Sequence, residues 1–539
     1  MSAPSPVTAE AAEPALSPSA KPLLVALAFL LITPFALWNL STWPARLRYP
    51  GELAMIEGMR LAEMKHLREG VPVYAPASPE RFDAMIYGPL YYLLGARLID
   101  PEQPAYFPLR LLGTLATLAL AASCSLLAFW LSRRLLAAAL APLLVLAYGF
   151  VSLQGISARS DMVALVVSFT GFLLAFRFRD EAGLHASIPF FLAALFYKPQ
   201  FIAAPAAVLV WLLVERRFRR AAQFAGLMTV GAVALLALFQ YIVFAGQDFW
   251  LHLVEYNLLP FTLNRLGYAV LLTAVLFIVP ALLALEFLRR SRDRLLLTYL
   301  LFVIPFTIFS LAKEGSASNY YLELVAVLAP PIAALAAQSV SNSLRAAEVL
   351  VLLVVALLAG TRLASFPPQP DDFARDRKAQ EFLRRNFVPG TLALGVHSGD
   401  LVRAGLRTPI SDFYQYTWLS CQGIIPEDQV LGQFRGRRFE VLLLGMALHD
   451  ERDAHRSNDI CMTEPLHQAI LENYTLSATL EMPCPAQGDF STRFYVWTPK
   501  SHTGVPPDSS TDGKADGELR MRGRLSPRFP RPRHQGDEP

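Results

Sequence analysis

Apolar residues fall in blocks of about 20, at 22–40, 107–131, 135–153, 162–176, 187–214, 221–245, 267–288, 295–312, 320–340 and 347–365. A helix needs about 20 apolar residues to cross a bilayer core, and a spanning backbone must satisfy its own polar groups. Repeated blocks of that length point to a mainly α, polytopic membrane protein. Charged residues make up only 17% of the chain, against roughly 25% in soluble domains, which excludes an ordinary soluble enzyme. The formal net charge of +4 is too mild for a nucleic-acid partner.

The linkers between blocks set the topology. Arg133-Arg134, Arg177-Phe178-Arg179, Arg216-Arg217-Phe218-Arg219-Arg220 and Arg289-Arg290-Ser291-Arg292 are basic, whereas the alternate linkers 154–161, 246–266 and 313–319 are not. Basic loops stay in the cytoplasm, so the N-terminus is expected inside. Block 187–214 has basic linkers on both sides and Lys198-Pro199 in its middle, and reads as a helical hairpin. Segment 86–99 reads as an interfacial or re-entrant helix. With the hairpin counted twice the chain has about 11 spans, and everything after residue 365 lies outside the cytoplasm.

Four regions follow. Residues 1–20 and 501–539 have little to bury and are expected to be disordered tails. Residues 21–365 form the membrane domain, with a large external loop at 41–106. Charges and short β-rich runs return over 366–500, at 391–394, 439–444 and 493–497, with helix-compatible stretches at 372–386 and 464–473. This is expected to be a small soluble α/β domain. It carries Cys421, Cys461 and Cys484. An oxidising compartment would permit one bridge among them, and free buried cysteines fit equally well.

Chemistry is sought in the external loops and at membrane depth. Glu52 follows a Pro-Gly turn just after the first block; a carboxylate there could act as a general base, or simply face a helix start. Glu57, Glu63 and Glu69 fit the exposed face of the helix that follows. Arg159 could grip a phosphate through its planar fork, or pair with Asp161, which opens a span and could cap it. Lys198 is an ionisable group at membrane depth, a functional candidate by default, with phosphate binding as one role. Glu323 would sit about one turn inside the membrane, needing Lys313 as a partner or a cavity to line; the cavity-lining role is favoured. His252 has no second histidine at i+3 or i+4, so no metal site is assigned. There is no P-loop, Gly-x-Gly-x-x-Gly, Cys-x-x-Cys or His-Glu-x-x-His, which disfavours a pump driven by ATP and a zinc protease.

The order of Glu52, Tyr87-Gly88-Pro89-Leu90-Tyr91-Tyr92, Arg159-Ser160-Asp161-Met162, Tyr197-Lys198-Pro199-Gln200 and Ser318-Asn319-Tyr320-Tyr321-Leu322-Glu323 resembles the GT-C superfamily of polytopic glycosyltransferases. Within it, the chain is similar to the bacterial branch of protein mannosyltransferases and lipid A aminoarabinose transferases. The resemblance covers residues 21–365 and, more loosely, the rest through Tyr495-Val496-Trp497-Thr498-Pro499. It implies inverting transfer of a sugar from a polyprenyl-phosphate donor to a glycan, lipid or protein acceptor, on the periplasmic face of a bacterial inner membrane. It implies Glu52 as the catalytic acid and Arg159 and Lys198 as donor-phosphate ligands, with Asp161, Tyr87, Asn319, Tyr320 and Glu323 lining the cavity. No cofactor is required by this reading, and a divalent metal is left open. A transporter or flippase of lipid-linked sugars is the alternative; it would show paired broken helices in inverted repeats, and only one hairpin is seen. A non-catalytic scaffold is a third reading.

Overall fold

The computed structural model describes residues 20–257, 260–339, 367–445, 448, 461–485 and 493–500. The expected span at 347–365, the expected tail 501–539 and all but the last residue of 1–20 lie outside the described residues.

Among the described residues, five helices are long and apolar enough to cross a membrane: Phe107–Ser132, Phe218–Val243, Leu263–Ser291, Arg294–Leu311 and Ser318–Gln338. The Ala20–Ser41 helix has 22 residues, about 33 Å at 1.5 Å per residue. The expected span at 135–153 is instead two helices, Leu135–Ala147 and Gly149–Ile156, bent by 76°. Tyr148 at the break is extended (φ −73°, ψ 120°), and its ring packs on Phe150 and Phe277. The carbonyls freed by the bend find a donor: Asn39 Nδ2 donates to Leu146 O at 2.8 Å and Ala147 O at 3.0 Å. A break at membrane depth survives only where protein satisfies its backbone groups in this way.

Block 187–214 is also broken, into Ile188–Tyr197 and Ala203–Val214, with Lys198 extended between them. Each half is too short to span alone. The Pro89–Leu98 helix packs against the Met55–Arg68 and Ile188–Tyr197 helices.

The Ser318–Gln338 helix is the centre of the bundle, 94% buried, while Phe218–Val243 is 6% buried. The central helix packs against Phe107–Ser132, Leu135–Ala147 and Leu263–Ser291. The outer helix presents Leu227, Val230, Val233 and Ile242 outward, a surface suited to hydrocarbon.

Residues 370–499 carry a four-stranded sheet: β1 (Ala393–Gly395), β2 (Val441–Leu444), β3 (Tyr474–Glu481) and β4 (Arg493–Pro499). The order is β1-β2-β4-β3, with β1 and β2 parallel and the other pairs antiparallel. The all-apolar β2 is buried on both faces. Leu442 and Leu444 pack with Phe434, Phe439 and Trp497; Val441 and Leu443 pack with Leu383, Leu401 and Val496. One disulfide, Cys421–Cys461, is present, while Cys484 is free and buried.

This sheet region is stitched to the long loop at 41–106. Phe82 pairs with Ile410 in a parallel bridge. Tyr49 Oη donates to Pro483 O and Tyr416 Oη to Pro79 O, both at 2.8 Å.

Candidate functional site

Asp161, the first residue of the Asp161–Arg177 helix, is fully buried and acts as a hub. Its Oδ1 accepts from Lys198 Nζ at 2.6 Å and from Asn319 Nδ2 at 2.7 Å. Arg159 Nε lies 3.3 Å from its Oδ2. Lys198 reaches it because the helix breaks there, turning the side chain inward. The ammonium also lies 4.6 Å from the centre of the Tyr87 ring and 5.5 Å from that of Tyr320. Both tyrosines are half-buried, so the cluster has a partly exposed aromatic edge. Four segments far apart in sequence, around residues 87, 159–161, 198 and 319–320, thus meet at one place.

Arg60, which the sequence reading did not single out, belongs beside this cluster. It is buried, its guanidinium stacks over Tyr87 at 4.9 Å, and it pairs with Glu63 and Tyr92. Its Nε and Nη2 have no hydrogen-bond partner. Burial pushes the Glu63 carboxyl up to about 7, against the pull of Arg60. Lys313 sits half-buried nearby and donates to Asn257 Oδ1 at 2.7 Å. Burial, with the Lys198 charge, lowers it to about 8.

Glu323 is not brought to this cluster. Its partner is the Tyr299 hydroxyl at 2.7 Å, within the helical packing, and Lys313 does not pair with it.

Glu52 occupies a neighbouring cluster. It is 1% exposed, and neither carboxylate oxygen has a hydrogen-bond partner. His397 Nδ1 lies 3.6 Å from its Oε2 and 3.2 Å from Asp400 Oδ2. Arg403 holds Asp400 at 2.6 Å and clamps Asp376 at 2.9 and 3.0 Å. Burial raises the Glu52 pKa well above the carboxylate range; the Asp400 and Glu57 charges add to this, and the Tyr106 hydroxyl and Arg403 only partly offset it. Burial also pushes on Asp400, but His397 and Arg403 beside it bring its carboxyl below the usual range.

Two glycines make this cluster possible. A Cβ on Gly58 would lie 1.8 Å from Glu52 Oε1, and one on Gly399 would lie 2.4 Å from Gly58 Cα and 2.0 Å from the Tyr106 hydroxyl. The Ser398–Arg403 helix therefore crosses the Met55–Arg68 helix at near-contact, which delivers His397 and Asp400 to Glu52.

The expectation of an exposed acidic face on the Met55–Arg68 helix is corrected: Glu57 and Glu63 are fully buried, and only Glu69 is exposed. Glu57 forms an ion pair with Arg110 at 2.6 Å and accepts from Ala158 N at 2.6 Å. It thereby anchors the residue before Arg159. The Tyr91 phenol, equally buried, is within electrostatic reach of both Glu57 and Asp161, so the two clusters adjoin. Helical spacing alone does not reveal this, because the helix is covered on both sides once the sheet region docks. The His397-x-x-Asp400 spacing was the one local signal for the second cluster.

No family model matches the sequence, and no curated protein matches it. Solved structures do share its fold. ArnT from Cupriavidus metallidurans bound to undecaprenyl phosphate is 14% identical over 87% of this chain and 98% of its own, with a TM-score of 0.53. The same protein in its apo state is 13% identical over 86% and 97%, with a TM-score of 0.51. The Archaeoglobus fulgidus oligosaccharyltransferase in complex with Zn and sulfate is 11% identical over 83% and 70%, with a TM-score of 0.46. The chain shares the fold of the two ArnT structures, which agrees with the fold that the sequence resemblance implied. At these identities the likeness is one of fold.

Proposed function

We propose that this chain is a membrane glycosyltransferase that moves a sugar from a polyprenyl-phosphate donor to a cell-envelope acceptor, with inversion, on the non-cytoplasmic face of a bacterial inner membrane. The observation that carries the reading is the cation cluster at Asp161. Lys198, Arg159 and Arg60 are buried or nearly so, and Nε and Nη2 of Arg60, which have no hydrogen-bond partner, leave donors free for a phosphate. Tyr87 and Tyr320 give that cluster a half-exposed edge. The fold shared with a protein solved with undecaprenyl phosphate supports the donor class.

In the proposed reaction an acceptor hydroxyl oxygen attacks the anomeric carbon, and the bond from that carbon to the phosphate oxygen breaks. The electron pair leaves on the phosphate, where Lys198, Arg159 and Arg60 neutralise it. The hydroxyl proton passes to Glu52, whose raised proton affinity suits a base once it is ionised. Asp161 and Asn319 position Lys198. The aromatic faces of Tyr87 and Tyr320 hold the ammonium from the other side. The Glu52, His397 and Asp400 side chains also fit a divalent cation, each offering one ligand atom within 4.8 Å of the others. Residues 366–500 are read as a soluble α/β part on the same side of the membrane, consistent with the Cys421–Cys461 disulfide.

The test is reconstitution of the full chain in liposomes with membrane lipid extract, following release of free polyprenyl phosphate by mass spectrometry. Lipids and envelope glycans from cells with and without the gene identify donor and acceptor. Accumulated polyprenyl-phosphate sugar in the deletion supports the reading; unchanged lipid-linked sugars together with a lost transport phenotype support the flippase instead.

A further inference from the structure

We infer that the end of the helix bundle remote from Asp161 carries a binding site for an anionic phospholipid. Its phosphate lies among Arg216, Arg219, Arg220 and Arg292, and its chains lie along the outer face of the Phe218–Leu238 helix. The inference goes beyond the glycosyltransferase reading and needs neither of the two clusters described above.

Helix direction fixes the place. The Asp161–Arg177 helix starts at the Asp161 cluster and ends on Arg177, and Ala203–Val214 runs away from Lys198 in the same sense. Their far ends are tied to the end of Leu263–Ser291 and the start of Arg294–Leu311 by ion pairs. Arg179 Nη1 lies 2.7 Å from Asp293 Oδ2, Arg217 Nη2 lies 2.6 Å from Asp180 Oδ1, and Arg294 Nη1 lies 3.1 Å from Glu215 Oε1. Segments 177–181, 215–220 and 286–294 together hold ten arginines and five acids. The pairs just named, with Arg289 and Arg290 on Glu286, engage four of those acids. Arg216, Arg219, Arg220 and Arg292 have no ion-pair partner among the described residues, so the positive charge here is in excess.

Conformation is the second observation. The Phe107–Ser132 and Leu263–Ser291 helices end on Arg133 and Arg292 at φ 56° and 57°, and Arg216 follows Ala203–Val214 at φ 56°. In this left-handed region glycine is the usual helix terminator, because a side chain is strained there. Elsewhere in the chain glycine follows a helix in this way at Gly70, Gly405 and Gly423, and arginine only at Arg437. A positive charge that complements a helix C-terminus can sit anywhere in the last turn, so the dipole does not require it at the strained position. Strain of this kind collects where a side chain has a task.

The third observation chooses the ligand. Phe218 stands inside the arginine run and is 63% exposed, and Leu213 and Val214 just before it are also exposed. They continue onto the outer helix, whose Leu227, Val230 and Val233 face outward. A soluble anion would use the arginines alone. A phosphate carried on acyl chains uses both, since guanidinium groups bind phosphate through paired N–H donors while their stems lie along hydrocarbon.

The experiment uses the full chain in an uncharged detergent, with dioleoyl phosphatidylglycerol or dioleoyl phosphatidylcholine added at equal mole fraction. Tm and lipid retained in native mass spectrometry are read. Phosphatidylglycerol should raise Tm and stay bound, phosphatidylcholine should do neither, and the difference should shrink as salt is raised. Each arginine beside an anionic lipid is worth about fivefold in affinity. Arg216→Gly combined with Arg292→Gly should therefore weaken phosphatidylglycerol binding about 10- to 30-fold. Glycine suits both positions, so the lipid-free Tm of this variant should equal or exceed wild type. Arg219→Gln with Arg220→Gln, which leaves the left-handed positions untouched, should weaken binding by a similar factor. Equal responses to the two lipids overturn the inference. So does unchanged phosphatidylglycerol binding in either variant pair. Loss of the response in Lys198→Met, with the arginine variants keeping it, also overturns it and moves the lipid phosphate to Asp161.

Discussion

Asp161 and Glu52 are both buried carboxylates, yet the protein treats them in opposite ways. Asp161 is surrounded by charge of the other sign, with Lys198, Arg159 and Asn319 all directed at it. Glu52 sits among its own kind, with Glu57 and Asp400 near and only the Tyr106 hydroxyl and Arg403 partly offsetting them. A buried charge that is paired and hydrogen-bonded holds a structure together, whereas one left unpaired is a cost kept for another purpose. The first cluster is therefore a scaffold, and in the proposed function its cations also grip the donor phosphate. The second is a vacancy in the charge balance that a proton or a cation must fill.

The contrast can be broken most sharply at Asp161. Asp161→Asn leaves Lys198 and Arg159 buried without their counter-charge, and is expected to cost about 3–5 kcal/mol of stability, read as a lower Tm and poor recovery from detergent. Glu52→Gln in metal-free buffer should show no such loss, because it removes an uncompensated charge; its Tm should equal or exceed wild type while sugar transfer falls sharply. A Tm drop for Glu52→Gln as large as that for Asp161→Asn would erase the distinction. Next, Lys198→Met removes a charge-assisted contact worth about 1.5–3 kcal/mol. Donor affinity should weaken about 10- to 100-fold, measured by titration with polyprenyl phosphate in detergent. Gly399→Ala drives a Cβ into Gly58 Cα and should cost about 1–3 kcal/mol by overpacking. Limited proteolysis should then free the sheet region from the membrane part.

The smallest effect concerns pH. Lys313 titrates near 8 rather than at the ordinary lysine value, because burial and Lys198 disfavour its charge. It is protonated below that pH and loses its positive charge as pH rises through it. Donor affinity should therefore fall roughly twofold to fivefold between pH 7 and 9, and Lys313→Gln should flatten that slope.

Much of the fold was legible because hydrophobic block length and basic linkers are local signals. The break at Lys198-Pro199 was read from proline chemistry and from charge on both flanks. The bend at Tyr148 was not, because it depends on Asn39, over a hundred residues away, satisfying the carbonyls it frees. β3 was missed as well: it is an edge strand whose pattern of exposure is too polar to stand out. Lys198 was singled out as an ionisable group at membrane depth, Arg159 and Asp161 as charged residues of one loop and the helix start that follows it, and Tyr87, Asn319 and Tyr320 through the family resemblance. The cost of burying a lysine is visible in sequence, and the structure brings all six residues together. Glu323 was singled out by the same logic but is satisfied by a single tyrosine hydroxyl.

What the sequence determined by itself was the membrane class and the identity of the costly polar residues, since both follow from the price of moving groups out of water. What only the tertiary structure decided was which of those residues meet. Glu52 and His397 are 345 positions apart, and no periodicity relates them. They come together because two glycine-bearing helices can approach closely enough to place an acid, an imidazole and a second acid in one buried space.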